Sequence, residues 1–150
     1  VVPDCIIETD LEILIPDSYV NSSTERLQLY STLDNIPDET GLERFIASLT
    51  DRFGPCPEPV QQLTNSVRLR WLGEKLGFEK IALKGGKMRM QFVASNESYF
   101  KSAVFGKILA FVQQHAKTSR MKDMAGKFTL TIENIDSVDV AVKLLQPLAI

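Results

Sequence analysis

The chain has 150 residues, of which 44% are hydrophobic and 24% charged, with a net charge of −2. This length suits one domain, or one compact domain with an attached arm, and can bury roughly 70% of its unfolded surface without disulfide or metal staples. The balance excludes a disordered or fibrous chain, no apolar run approaches the ~20 residues that span a bilayer, and the start lacks the form of a secretory signal.

The chain opens at Val1, not Met, and runs straight into an apolar segment, as expected of a piece of a longer polypeptide. Cys5, Ile6 and Ile7, then Leu11, Ile13, Leu14 and Ile15, read as extended or strand-like because β-branched residues favour the pleated backbone. Residues 1–20 are expected to form an extended lead-in arm, with a single α+β domain over 21–150. After Pro16-Asp17-Ser18, the run Ser22-Ser23-Thr24-Glu25 forms a capping box, in which a Ser hydroxyl covers a free N–H and Glu25 reaches back. A short helix follows, packing Leu29, Tyr30, Leu33 and Ile36 and stopped by Pro37.

The clearest helix places Leu42, Phe45, Ile46, Leu49 and Phe53 on one stripe. Thr40 with Glu43 is positioned to cap its start, and Gly54 before Pro55 ends it. A third helix is predicted from near Pro57 to Leu76, closed by Gly77, with Val60, Leu63, Val67 and Trp71 on one stripe and Leu69, Leu72 and Leu76 on another.

The apolar period then changes from 3.6 to 2. Ile81 and Leu83, and Met88, Met90 and Phe92, alternate with polar residues across Gly85-Gly86, which predicts a hairpin. Residues 98–116 return to helix, with Val104, Phe105, Ile108, Leu109 and Val112 on one face. Phe128, Leu130 and Ile132 alternate after Gly126, and a short helix over 137–145 closes the chain. The order predicts an α+β fold in which N-terminal helices precede a small antiparallel sheet of about four strands with packed helices.

Intrinsic catalysis has little support in these residues. Gly85-Gly86-Lys87 and Gly126-Lys127 lead into alternating strands and lack phosphate-loop spacing. There is no Ser nucleophile motif, and the single histidine, His115, is expected at the surface or boundary of its helix. Cys5 and Cys56 lack CxxC spacing. They are expected as inert thiols of a reducing compartment, with a disulfide between them as the alternative. No catalytic, metal or cofactor residue is therefore assigned.

Charge is distributed unevenly. Residues 1–60 carry twelve acids against Arg26, Arg44 and Arg52, whereas residues 61–150 carry fourteen Lys and Arg against seven acids. Within the basic half, Arg68, Arg70, Lys75, Lys80, Lys84, Lys87 and Arg89 face only Glu74 and Glu79. This segment is a phosphate-contacting patch, a solvated face or the partner of acids within the chain, and aromatic stacking residues are not interleaved with it. On the 42–53 helix, the apolar stripe leaves Arg44, Ser48 and Asp51 facing water, with Arg52 at the flank. Arg52 suits the negative end of the helix dipole and Asp51 opposes it, a hint of selection for a partner, with a merely solvated Asp51 as the alternative.

Two segments carry a resemblance. Leu14-Ile15-Pro16-Asp17-Ser18-Tyr19-Val20 with Arg26-Leu27 and Tyr30, and Leu49-Thr50-Asp51-Arg52-Phe53-Gly54 with Pro57, resemble the C-terminal domain of bacterial transcription-repair coupling factors, the Mfd family. Leu69-Arg70 and Leu76-Gly77 resemble pairs at similar places, so residues 10–80 carry the likeness and 81–150 match by segment pattern. The resemblance implies a cytoplasmic parent, an ATP-driven DNA translocase that removes RNA polymerase stalled at lesions and recruits nucleotide excision repair. ATP would bind upstream domains, not this one. It implies docking on a UvrB-like module of the same chain, masking that module's UvrA-binding surface and restraining the translocase, without any membrane role. The implied partner interface falls on Ser48, Asp51 and Arg52, with Ser48 standing where many relatives have an acid. The alternative is a nucleic-acid module using Arg68, Arg70, Lys75, Lys84, Lys87 and Arg89.

Overall fold

The structure, a computed structural model, describes residues 4–93 and 97–150. The chain divides into two compact units: a helical unit, Glu12–Arg68, and a sheet unit of the residues up to Leu11 together with Leu69–Ile150. By formal charge the helical unit carries −5 and the sheet unit +3, so the two present opposite signs to partners.

In the helical unit, α1 (Ser23–Asp34) starts at Ser22, whose hydroxyl accepts from the Glu25 amide. Glu25 does not complete a reciprocal box, because its carboxylate pairs with Arg52 at 3.0 Å. A charged partner outcompetes a backbone amide for a carboxylate. Helix α2 (Glu39–Phe53) is capped by Asp38, which accepts from Gly41 N at 2.9 Å, so the cap lies two residues before the expected Thr40. Its apolar stripe faces inward, with Leu42, Phe45 and Leu49 buried. Gly54 ends it at φ +89°, donating its N–H to Thr50 O. Helix α3 (Glu58–Leu76) begins in the helical unit and ends in the sheet unit.

The sheet unit contains β1 (Ile6–Thr9), β2 (Phe78–Lys84), β3 (Lys87–Phe92), β4 (Ser119–Met124) and β5 (Lys127–Glu133) in the order β1-β2-β3-β5-β4. The fold is α+β as expected. The sheet has five strands, not about four, and β1 pairs with β2 in parallel, not antiparallel. A parallel pair needs a long crossover, which the three helices between these strands supply. Thr9 Oγ1 and Asp10 N both donate to Leu83 O, and Asp10 accepts from Gly85 N, which ties this strand to the glycine hairpin.

One sheet face is apolar and buried, with Ile81, Leu83, Met88, Met90, Leu130 and Ile132. The segment expected as one helix over 98–116 is two, α4 (Glu97–Phe100) and α5 (Ala103–Gln114). Ser102 causes the break: its hydroxyl donates to Tyr99 O and accepts from Phe105 N. Such local Ser bonds compete with the helical ladder. Helix α5 buries Phe105, Ile108 and Phe111, so its inward stripe is rotated from the expected one and Leu109 is 40% exposed. Phe92 is the hub of the aromatic packing, with ring centroids of Phe78, Phe105 and Phe128 at 5.0, 5.7 and 5.1 Å. Helix α6 (Val138–Leu145) buries Val138, Ala141, Val142 and Leu145. Among the described residues, no helix is long and apolar enough to cross a membrane.

Candidate functional site

The surface of interest is built on the C-terminal half of α2, and its position is set from below. The segment 15–20 straps the helical unit together. Arg26 on α1 donates to Val20 O and Asn21 O at 2.7 and 3.0 Å. One turn later, Tyr30 OH accepts from Ile15 N at 2.7 Å. At the other end of the strap, Tyr19 OH lies 3.2 Å from Leu49 O and 2.7 Å from Gly54 O, within donating distance of both. The Tyr19 and Phe53 rings lie 5.7 Å apart. Burial raises the Tyr19 phenol, with Cys56 Sγ at 3.6 Å adding to the effect, so the hydroxyl keeps its proton and acts as a donor. The residues carrying the resemblance in these two segments thus fix one strap to two helices.

With Phe53 and Gly54 held from within, the preceding residues face outward. Ser48, Asp51 and Arg52 are all exposed on the helical α2. Arg52 is anchored as well as exposed: it bridges to Glu25, and its guanidinium lies 4.7 Å over the Phe53 ring. Asp51 is different. Among the described residues no hydrogen bond or ion pair engages its carboxylate, although it opposes the helix dipole there. Ser48 lies one turn earlier on the same side. The arrangement presents one unpaired carboxylate beside one fixed guanidinium, suited to a partner offering a cation and an acceptor.

The basic residues do not form one patch. Arg68 lies in the helical unit and makes a bidentate pair with Glu39, both bonds 2.7 Å. Arg70 and Lys75 lie on the last turns of α3 in the sheet unit. Lys80, Lys84, Lys87 and Arg89 lie on the water-facing side of β2 and β3, where they are joined by Arg120 and Lys122 of β4. The last two were missed by a linear count of charge, although their alternation around Met121 was visible.

The Arg68 pair carries a pH prediction. Arg68 hydrogen bonding holds the Glu39 carboxyl below its ordinary value, against a smaller opposing effect of burial. A depressed carboxyl stabilises the folded state above its unfolded value near 4.5, and that contribution is lost as pH falls through the folded value. Glu39→Gln should therefore cost about 0.5–1 kcal/mol at neutral pH, given the half-exposed site, and flatten the loss of stability below about pH 4.5. Urea unfolding across the acid range measures both.

His115 ends α5 on the surface, with Nδ1 2.9 Å from Phe111 O and its ring stacked on Phe111. Cys5 and Cys56 are free thiols, and burial pushes Cys5 up to about 12. Among the described residues, no cluster of His, Cys, Asp and Glu could hold a metal.

The family model described as the TRCF domain matches residues 9–103. The chain is 29% identical over 116 residues to the transcription-repair-coupling factor of Rickettsia bellii, covering 77% of this chain and 10% of that protein. It is 33% identical over 75 residues to that of Escherichia coli, covering 50% of this chain and 6% of that one. The chain therefore spans a tenth or less of the length of these relatives. A solved C-terminal domain of a transcription-repair coupling factor superposes with a TM-score of 0.73 at 17% identity, covering 98% of this chain and 89% of that chain. At that identity the likeness speaks for the fold.

Proposed function

The chain belongs to the TRCF domain family, and on that premise we propose that it is a regulatory protein-interaction domain of a cytoplasmic, ATP-driven DNA translocase acting in transcription-coupled nucleotide excision repair. In this reading it docks through Ser48, Asp51 and Arg52 on a UvrB-like module of the same polypeptide. It thereby masks the UvrA-binding surface and restrains the motor until stalled RNA polymerase is engaged. ATP is handled by upstream domains, and this domain contributes no catalytic group.

One observation carries the proposal: Asp51 is exposed and, among the described residues, unpaired at the end of a helix whose ridge, cap and Arg52 all have structural partners. An acid placed against its own helix dipole costs a few tenths of a kcal/mol and is favourable only when a cation approaches it. Pairs at such a rim contribute roughly 0–1 kcal/mol each. Tethering supplies the effective concentration that makes so weak a contact sufficient, and leaves it weak enough to be released.

The test is charge reversal in the full-length protein. Asp51→Arg together with Arg52→Glu should release the UvrB-like module, raising UvrA affinity about tenfold in a pull-down titration. Because Arg52→Glu also sets two acids against each other at Glu25, Asp51→Arg alone provides the cleaner comparison. Unchanged UvrA binding by both variants, with helicity intact by circular dichroism, rejects this interface.

A further inference from the structure

The five-stranded sheet leaves one face open to water, and that face is strongly cationic. Its pairing register places side chains in three rows across the strands. Lys84, Lys87 and Glu133 form the first row; Ala82, Arg89, Thr131 and Arg120 form the second; Lys80, Gln91, Thr129 and Lys122 form the third. Rows two residues apart lie about 7 Å from each other and adjacent strands about 4.8 Å, so the six cations make a grid. All of them but Lys80 line a shallow concavity of about 510 Å³ floored by Ala82 and Thr131.

Some of this charge is answered within the chain. Glu8 on β1 pairs with Lys80 and Lys84, and Glu133 sits between Lys87 at 3.7 Å and Arg120 at 3.2 Å. Arg89 and Lys122 have no carboxylate within ion-pair distance among the described residues, and both are exposed. A carboxylate held between two cations shows that this face seats an anionic oxygen. The unanswered Arg89 and Lys122 show that it has capacity for more.

We propose that this open sheet face binds the phosphate backbone of duplex nucleic acid without reading its sequence, independently of the α2 surface. Several features favour that occupant over others. The concavity has no large apolar side chain, so it lacks the aromatic or aliphatic anchors that carry protein interfaces. Among the described residues no aromatic ring lines it, so they offer no platform on which unpaired bases would stack. The grid is too open to enclose a small anion. What remains is repeated charge-assisted contact from Lys and Arg to a regular line of phosphates. Glu133 acts as an internal competitor, occupying part of the site until a phosphate displaces it from Arg120 and Lys87.

The whole chain, titrated against a fluorescein-labelled short duplex and read by anisotropy, tests this. With about four phosphates contacted, affinity should fall about 10²-fold between about 50 and 200 mM salt. Arg89→Glu with Lys122→Glu should weaken binding at least about tenfold at the lower salt, and the milder Arg89→Gln with Lys122→Gln about threefold, which covers any folding loss in the reversed variant. Arg70→Glu with Lys75→Glu, on α3, should change it less than about twofold. Glu133→Gln should tighten binding about threefold, the signature of a removed competitor. Absence of binding at low salt overturns the proposal, as does an equal loss in the Arg70 and Lys75 variant. Displacement of the duplex by a short polyglutamate peptide of comparable or tighter affinity would assign the face to an acidic protein segment and equally overturn it.

Discussion

Gly77→Ala should cost the sheet unit about 3–5 kcal/mol, among the largest effects expected of one added methyl group. Two causes combine. Gly77 sits at φ +85°, where an L side chain is strained, and a Cβ built there would lie 2.3 Å from the Tyr99 ring. That ring has little room to retreat. The Tyr99 hydroxyl donates to Leu76 O, and its ring packs 6.0 Å from Phe92 and 5.6 Å from Phe105. Gly77 O also accepts from Val93 N at 2.9 Å, so a backbone shift there would disturb the end of β3. The comparison that isolates the clash is Gly126→Ala. Gly126 has a similar φ of +79° in the same unit, but no heavy atom lies within 4 Å of its built Cβ. Strain alone should cost about 1–2 kcal/mol there. Urea unfolding of both variants checks the difference. Equal losses would mean that Tyr99 does not hold its place against α3.

Gly77 also shows what kind of information a sequence carries. Its role as a helix terminator was legible, because glycine after an apolar stripe marks a left-handed cap. Its contact with Tyr99, twenty-two residues on, was not, since nothing local specifies it. The same division runs through the fold. The ridge of Leu42, Phe45 and Leu49, the Gly54 terminus and the Gly85-Gly86 hairpin follow from local periodicity and backbone preference. The pairing of β1 with β2 could not follow, because a parallel partner lies far along the chain. The cap of α2 is Asp38 and not Thr40: both offer side-chain oxygens near the helix start, and only geometry selects between them.

The candidate surfaces divide in the same way. That Asp51 faces water follows from 100° per residue, but the tether of Arg52 to Glu25 depends on where α1 lies. Linear order groups the basic segment by position along the chain, whereas a sheet sorts residues by alternation and by neighbouring strand. Arg68 therefore leaves the group for Glu39, and Arg120 and Lys122 join it through β5.

Tyr19→Ala should cost the helical unit about 3 kcal/mol and also displace the α2 surface, which links stability to function. Tyr19 contributes a ring against Phe53 and a hydroxyl within reach of two carbonyls at the end of α2. Tyr19→Phe separates these contributions: it keeps the ring and removes the donor, for about 1 kcal/mol. If the hydroxyl positions the last turn of α2, Tyr19→Phe in the full-length protein should also raise UvrA affinity, by less than Asp51→Arg does. A docking contact of roughly 1 kcal/mol depends on placement, and a frayed helix end presents Asp51 over a range of positions. Amide exchange of residues 50–54 would report the fraying directly. Faster exchange with unchanged UvrA binding would separate the strap from the docking surface and leave Tyr19 with a purely structural role. Slow exchange in Tyr19→Phe would show instead that Gly54 and the Phe53 ring hold the helix end without the hydroxyl.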